Sequence, residues 1–190
     1  GGIANYSDIA RAVIYASSNG AQVINLSLGG YADSAVLADA IREAATTAVI
    51  VGGAGNDDSG APFYPAAYPE VLAVAATDEN DQKAIFSNHG PWVDLTAPGA
   101  NILTTVVGGS YAAESGTSLA TAYVAGLAGL IKSQHPLWTP AQVKWQLLNT
   151  AASIGAANPT MPGELGRGRI DAAAALASDP QAQAVIAGYT

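Results

Sequence analysis

Residues 23–56 decide the fold, and they read VINLSLGGYADSAVLADAIREAATTAVIVGGAGN. Two short β-type runs, 23–26 and 48–51, stand near the ends of this stretch, and glycines follow each run. Between them, apolar residues recur at the spacing of one helix face: Leu37, Ala40, Ile41 and Ala44. A strand, a helix and a strand at these spacings indicate a βαβ unit. The sequence therefore predicts an α/β fold, with a mainly parallel sheet covered by helices on both faces.

The rest of the chain continues this alternation. An apolar stripe at 6–14 predicts a helix capped by Ser7 or Asp8. Further β-type runs are expected at 71–75, 84–86, 93–95 and 102–106. The apolar run 119–131 predicts a buried helix, and Thr139-Pro140-Ala141-Gln142 carries the pattern of a capping box. Asp171 is expected to cap a last helix. No repeat or second domain is evident, so residues 1–190 are predicted to form one domain.

Composition excludes several classes of function. Hydrophobic residues make up 49% of the 190 residues and charged ones only 12%, as in a densely packed domain. The net charge of −8 disfavours nucleic acid and anionic membrane surfaces as partners. There is no cysteine, so disulfides and thiolate metal sites are excluded. The run 119–131 is too short to span a bilayer.

Two loops follow predicted parallel strands, where ligands gather in α/β sheets. They are Ser27-Leu28-Gly29-Gly30 and Gly53-Ala54-Gly55-Asn56. A dinucleotide-binding loop is the obvious rival, but the second segment lacks the third glycine of that motif. The glycines can be explained as tight turns, and Asn56 as a turn residue. The functional interpretation makes the Asn56 side chain a donor to an oxyanion, as acyl transfer requires.

Ser118 is the candidate nucleophile, within the sequence GTSLA at 116–120. A serine with small neighbours at the start of a helix is open to a substrate, and the helix N-terminus favours negative charge. The alternative is that Thr117 or Ser118 only caps the helix. From this motif alone, helix capping is the favoured interpretation, because most Gly-Thr-Ser sequences cap helices.

Five ordered blocks together resemble the subtilisin-like serine proteases, or subtilases, with the thermitases among the nearer members. The blocks are VINLSLGG at 23–30, AGN at 54–56, FSN at 86–88 followed by Gly90, APG at 97–99 and GTSLAT at 116–121. The resemblance runs from Tyr6 to about Ala175. It implies a subtilisin-like three-layer fold, and it makes the chain the carboxyl-terminal, nucleophile-bearing portion of a subtilase catalytic domain.

The resemblance also implies roles for individual residues. Ser118 would be the nucleophile of a serine endopeptidase that forms an acyl-enzyme. Asn56 and the Ser118 backbone N–H would form the oxyanion hole. The substrate-binding residues would be Ser27, Leu28 and Gly29 on one wall, Gly53, Ala54 and Gly55 on the other, and Phe63 at the base of the specificity pocket. Since relatives often have a small residue in that position, Phe63 is expected to make the pocket shallow.

The base half of the catalytic machinery is not found in the sequence. In the family, Asp and His precede Ser in the chain, so both would lie upstream of Gly1. His89 and His135 match non-catalytic family positions. The chain alone is therefore expected to be inactive or nearly so, because a serine needs a base to become nucleophilic. An upstream segment or a separate chain would supply Asp and His.

The resemblance implies no required cofactor. It does imply a calcium or monovalent-cation site, formed by the carbonyls of Ala66, Tyr68 and Val71 with the carboxylate of Asp94. Oxygen ligands of this kind suit hard cations. The alternative for Asp94 is a hydrogen bond to nearby backbone.

Two other functions stay open: a non-catalytic peptide-binding module, and a structural partner of subtilase fold that completes another chain. A pure binder would need neither Ser118 nor Asn56. The partner expected for the endopeptidase is a peptide or protein substrate, and its expected location is extracellular, because family members are mostly secreted.

Overall fold

The computed structural model describes residues 4–177. It contains five helices and six strands, whose bounds follow. The helices are α1 (Tyr6–Ser18), α2 (Ala35–Ala44), α3 (Thr117–Gln134), α4 (Pro140–Asn149) and α5 (Ala172–Ala177). The strands are β1 (Val23–Leu26), β2 (Val49–Gly53), β3 (Val71–Thr77), β4 (Leu95–Pro98), β5 (Ile102–Val106) and β6 (Ser110–Glu114). Within residues 4–177, no helix has both the length and the apolar character needed to cross a bilayer.

Four strands form one parallel sheet in the order β1-β2-β3-β4. Val23 lies opposite Val49, and Ile50 lies opposite Val71. The unit β1-α2-β2 is the predicted βαβ unit. β1 forms one edge of this sheet, with β2 as its only strand partner in the described part of the chain. β5 and β6 form a separate antiparallel hairpin.

The two faces of the sheet carry separate apolar cores, because side chains alternate along each strand. Ile50 of β2 packs with Leu37 in the core formed by α1 and α2. Val49 and Val51 point to the other face and pack with residues of α3 and α4, Val124 among them. The sheet thus has helices on both sides, and the predicted three-layer α/β fold is confirmed. Its parallel strands are buried runs, as this arrangement requires.

Three local predictions are wrong. Asn5 precedes the first helix in place of Ser7 or Asp8, and no side chain caps that end. Residues 84–86 do not form a strand: after one hydrogen bond from Ala84 N to Ala76 O, the chain turns back through Ser87 N to Ala84 O. The strand expected at 93–95 begins only at Leu95. In contrast, the predicted caps of the last two helices are confirmed, with Thr139 and Gln142 forming a capping box and Asp171 accepting from Ala174 N.

Candidate active site

Ser118 lies in the first turn of α3, which begins at Thr117 after Gly116. The side chain is exposed, and its hydroxyl forms no hydrogen bond within residues 4–177. The cap position is occupied by Gly116, which has no side chain to offer. Ser118 is therefore no helix cap, and its hydroxyl is available at the positive end of an 18-residue helix.

Asn56 is oriented by contacts with the start of α3. β2 ends at Gly53, and Gly55 then adopts a φ of 104°, which glycine takes readily. Asn56 Oδ1 accepts hydrogen bonds from Thr117 N at 2.9 Å and from Thr117 Oγ1 at 3.1 Å. The hydroxyl of Thr117 in turn accepts from Gly55 N at 3.2 Å. Since both bonds use the oxygen of the carboxamide, Nδ2 is left to donate elsewhere.

The Asn56 carboxamide and the Ser118 backbone nitrogen both border a small space beside Gly116. A Cβ atom added to Gly116 would lie 3.8 Å from Asn56 Nδ2 and 3.8 Å from Ser118 N. The φ of Gly116 is extended and open to any residue, so what the glycine contributes here is empty space. Two donor nitrogens that border one vacant position are what an oxyanion hole requires.

A cavity of about 200 Å³ joins these groups to the predicted substrate-binding residues. Its lining includes Ser118, Thr117, Asn56, Asp57, Phe63, Ser27, Leu28, Gly29, Gly53 and Gly55. Ala54 is the exception among the predicted binding residues. It is fully buried behind the wall, in a core cluster with Ala75 and Val93.

Ser27 connects the first wall to the nucleophile. Its hydroxyl donates to the carbonyl of Ser118 at 3.0 Å and accepts from Asn25 Nδ2 at 2.9 Å. Leu28 and Gly29 are exposed, and their backbone groups form no hydrogen bond within residues 4–177. Leu28 and Gly29 therefore offer unpaired backbone groups within residues 4–177, close to Ser118.

The ring of Phe63 lies between the two walls. A Cβ added to Gly29 would come within 2.9 Å of Phe63 Cδ1, and one added to Gly55 within 3.2 Å of Phe63 Cδ2. Phe63 is half-buried and belongs to the cavity lining. Its ring thus spans the gap from one wall to the other and reduces the space left between them.

Neither histidine of the sequence is available as a base for Ser118. His89 Nδ1 contacts the carboxylate of Glu164. His135 follows the far end of α3 and stacks on Trp138 with ring centroids 3.7 Å apart. Neither residue lines the cavity that contains Ser118. Asp57 lines it, and its carboxylate accepts a hydrogen bond from Tyr31.

The predicted cation site contains a lysine that the sequence did not indicate. Lys144 Nζ, from α4, contacts the carbonyl of Glu70. Burial raises the pKa of Asp94, while the Ala73 N–H and the nearby Lys144 ammonium act to lower it. Asp94 Oδ2 accepts from Ala73 N at 2.9 Å, and the Tyr68 carbonyl accepts from Val71 N at 3.0 Å. Positive charge is already present here, so this donor set fits a metal ion poorly.

Sequence reasoning missed three residues that shape the site. Thr117 orients Asn56, Asn88 anchors the loop after Asn56, and Tyr31 packs on Phe63. Thr117 and Asn88 stand inside the quoted blocks, so their position was a signal. Tyr31 directly follows Gly30 but carries no motif of its own, and only the tertiary contact identifies it.

Comparison with known proteins identifies the family of this chain. The profile of the subtilase family matches residues 2–175. Subtilisin Savinase of Lederbergia lenta is 42% identical over 158 residues, covering 83% of this chain and 59% of that protein. A thermophilic serine proteinase of Bacillus sp. (strain AK1) is 49% identical over 134 residues, covering 70% of this chain and 33% of that protein.

Solved structures show the same fold. A protease from Pseudoalteromonas arctica superimposes with a TM-score of 0.83 at 37% identity, covering 91% of this chain and 58% of that one. The prenylagaramide maturation protease PagA gives a TM-score of 0.82 at 29% identity, covering 92% and 67%.

This chain therefore belongs to the subtilase family of serine proteases. It spans 59% of the length of Savinase and 42% of an alkaline protease of Alkalihalobacillus alcalophilus. The narrower assignment to a thermitase-like subtype stays a prediction.

Proposed function

We propose that the protein containing this chain is a serine endopeptidase with Ser118 as its nucleophile. The Ser118 oxygen would attack the peptide carbonyl carbon while a base takes the hydroxyl proton. The carbonyl oxygen would become an oxyanion held by Asn56 Nδ2 and Ser118 N–H. The amine would then leave with a proton from the same base, and water would release the acyl group. The observation that carries this proposal is the pairing of Asn56 Oδ1 with Thr117, which leaves the amide to donate beside Ser118 N.

A non-catalytic peptide-binding module is the weaker alternative. Peptide binding by an exposed edge requires free backbone groups and side-chain pockets, which Ser27 to Gly29 and the cavity could supply. It does not require an amide nitrogen and a backbone N–H beside one vacant position, or a serine hydroxyl that forms no hydrogen bond within residues 4–177. The structural-partner alternative has no need of the cavity. These features favour catalysis over both alternatives.

The base and its carboxylate would come from a segment upstream of these residues or from a separate chain. Relatives are longer than this chain, which spans 59% of Savinase. Within residues 4–177, the edge of β1 that faces away from β2 pairs with no strand, and Ser27 directly follows β1. A groove of about 640 Å³ also runs along α3 beyond Ser118, lined by apolar residues that include Leu119, Tyr123 and Leu130. A segment that covers this groove would lie along α3 and contact Leu119, the residue next to Ser118.

The substrate would be an extended peptide that adds a strand to the free edge at Ser27–Gly29. Main-chain hydrogen bonds of this kind bind peptides with little demand on their sequence. Phe63 would limit the side chain before the scissile bond to a small or medium size. We also propose an extracellular location, supported by the likeness to subtilases and by the acidic, cysteine-free composition.

Labelling of the complete protein tests the proposed activity. A fluorophosphonate probe should modify Ser118 stoichiometrically, because the probe mimics an acyl substrate and requires an activated serine. Mass spectrometry of the modified peptide checks the site, and hydrolysis of a peptide ester checks turnover. Ser118→Ala should abolish both signals. Labelling at another serine, or turnover that survives Ser118→Ala, would exclude the proposed nucleophile.

We further propose that Lys144 supplies the positive charge at the predicted cation site, so that no metal ion is required there. Lys144→Met leaves Asp94 without its counter-charge, at an expected cost of about 1–3 kcal/mol in unfolding free energy. That is below the cost for a fully buried pair because Lys144 is part-exposed. Burial lowers the pKa of Lys144, whereas the negative charges of Asp94 and Glu70 act to raise it.

The loss in Lys144→Met should depend on pH. Without the lysine, the folded-state pKa of Asp94 rises further above its unfolded value of about 3.9. The folded state then binds a proton more tightly than the unfolded state. Below pH ~3.9 the Lys144→Met variant should therefore be about as stable as the unmodified protein. Its stability relative to the unmodified protein should fall as pH rises through the folded-state pKa of Asp94. Urea unfolding of the complete protein at pH 4 and pH 8 measures this, and adding Asp94→Asn should recover most of the loss. A large stabilisation of the unmodified protein by calcium would instead support the metal site.

A further inference from the structure

Tyr31 contacts Phe63, at the base of the proposed substrate cavity, and forms hydrogen bonds with Asp57 and Asn88. Its ring packs edge-on against Phe63, with centroids 5.1 Å apart and planes at 81°. Its hydroxyl donates to Asp57 Oδ2 at 2.7 Å and accepts from Asn88 Nδ2 at 3.2 Å. In sequence, Tyr31 follows the first wall of the cavity and Asp57 follows the second. The side chain therefore connects the two walls.

Asn88 makes this connection rigid. It is fully buried, and its Nδ2 also donates to the Ala54 carbonyl at 2.9 Å. Its Oδ1 accepts from Asp57 N at 2.9 Å and Ser59 N at 3.0 Å. With both amide atoms used, the side chain cannot turn without leaving buried polar groups unpaired. The Tyr31 hydroxyl and the loop from Asp57 to Ser59 are thus held by one fixed group.

The ring of Phe63 is enclosed by Gly29, Gly55 and Tyr31. Gly29 and Gly55 contact opposite sides of its ring, so a methyl group on either glycine would collide with or crowd it. Tyr31 packs against the ring from a third direction. A large substrate side chain could enter only if Phe63 moved away, and Tyr31 blocks one route for that movement.

We propose that Tyr31 is a positioning residue for substrate specificity. It holds Phe63 across the floor of the pocket and occupies one carboxylate oxygen of Asp57. The site then accepts Gly, Ala or Ser before the scissile bond and rejects large aromatic and basic side chains. This inference rests on the proposed endopeptidase function, and it adds the substrate class and the residue that enforces it.

The test compares variants of the complete protein on peptides that differ only in the residue before the scissile bond. The unmodified protein should prefer Ala to Phe in kcat/KM. Phe63→Gly should raise the Phe-to-Ala ratio by about 10–200-fold, the usual discrimination of an apolar pocket. Tyr31→Ala should raise it by about tenfold, because Phe63 gains room to move. In the Phe63→Gly background, Tyr31→Ala should change the ratio by less than about twofold, since positioning acts through Phe63.

Tyr31→Phe separates the hydroxyl from the ring. It should leave the Phe-to-Ala ratio unchanged and raise the Lys-to-Ala ratio by roughly threefold, because the freed Asp57 carboxylate lines the cavity. The effect is modest because Tyr31 is 46% exposed and its hydrogen bonds compete with water. Tyr15→Ala, at a 71% exposed tyrosine of α1, is the matched control and should change neither ratio.

Several results would overturn the inference while leaving the proposed function intact. They are preferential cleavage after Phe by the unmodified protein, equal effects of Tyr31→Ala with and without Phe63, and no effect of Tyr31→Ala at all. If no peptide is cleaved, the proposed function fails instead. The inference is then decided by calorimetry, which measures how tightly the Ser118→Ala protein binds peptide acids that end in Ala or in Phe. The Ala peptide must bind more tightly, and Tyr31→Ala must reduce the difference between the two affinities.

Discussion

Residues 1–190 on their own should react with a fluorophosphonate probe about 10²–10⁴ times more slowly than the complete protein, the usual contribution of a positioned base. The physical reason is that the Ser118 hydroxyl forms no hydrogen bond to a base within residues 4–177. Both histidines of the chain are engaged elsewhere, His89 with Glu164 and His135 with Trp138. The rate of probe incorporation, followed by mass spectrometry, measures the difference.

A folding defect in residues 1–190 alone would also slow labelling. A second comparison therefore removes the base within the complete protein. In the complete protein, replacing the proposed base histidine by alanine should cause a loss of the same size while the circular dichroism spectrum is retained. Rapid, stoichiometric labelling of Ser118 in residues 1–190 alone would contradict the requirement for an outside base.

Asn56→Ala should lower kcat of the complete protein by about 10²–10³-fold, a magnitude taken from a member of the same family. The amide donates to charge that develops only in the transition state, so KM should change little. Asn56→Asp should be at least as damaging, because a carboxylate cannot donate and repels the oxyanion. Steady-state kinetics on a peptide ester measure both effects.

The control for this series is Asn149→Ala, at an exposed asparagine of α4 outside the cavity. It should retain full activity. Because Thr117 holds the Asn56 oxygen, Thr117→Val should also reduce kcat, by less than Asn56→Ala, since one of the two bonds to Oδ1 comes from the backbone and survives. A kcat unchanged in Asn56→Ala would remove the amide from the proposed oxyanion hole.

Prediction from sequence succeeded for elements whose pattern is local. The apolar stripe containing Leu37 and Ile41 is the buried face of α2, and the run after Ser118 is the central helix. Where stability depends on distant partners, prediction was poorer. β6 was missed because its residues are mostly exposed and show no apolar alternation, and only pairing with β5 defines it as a strand. Residues 84–86 looked like a strand but make a single hydrogen bond to the neighbouring strand before turning.

The candidate site shows the same division. Ser118 and Asn56 could be singled out because small residues surround them and because each follows or begins a recognisable element. The hydrogen bond that orients the amide could not be predicted, because Asn56 and its partner Thr117 are 61 positions apart along the chain. Lys144 could not have been found, since it comes from α4 and reaches the carbonyl of Glu70, 74 positions away.

The sequence by itself determined the class of fold and the family, and it singled out Ser118 as the candidate nucleophile, because periodicity and ordered motifs depend on neighbours along the chain. Tertiary structure alone decided which atom of Asn56 is free, how Tyr31 encloses Phe63 and which group lies beside Asp94. Those properties depend on contacts between side chains that meet only after β1, β2 and α3 have packed together. Local pattern specifies the elements, and packing specifies the chemistry at the point where they meet.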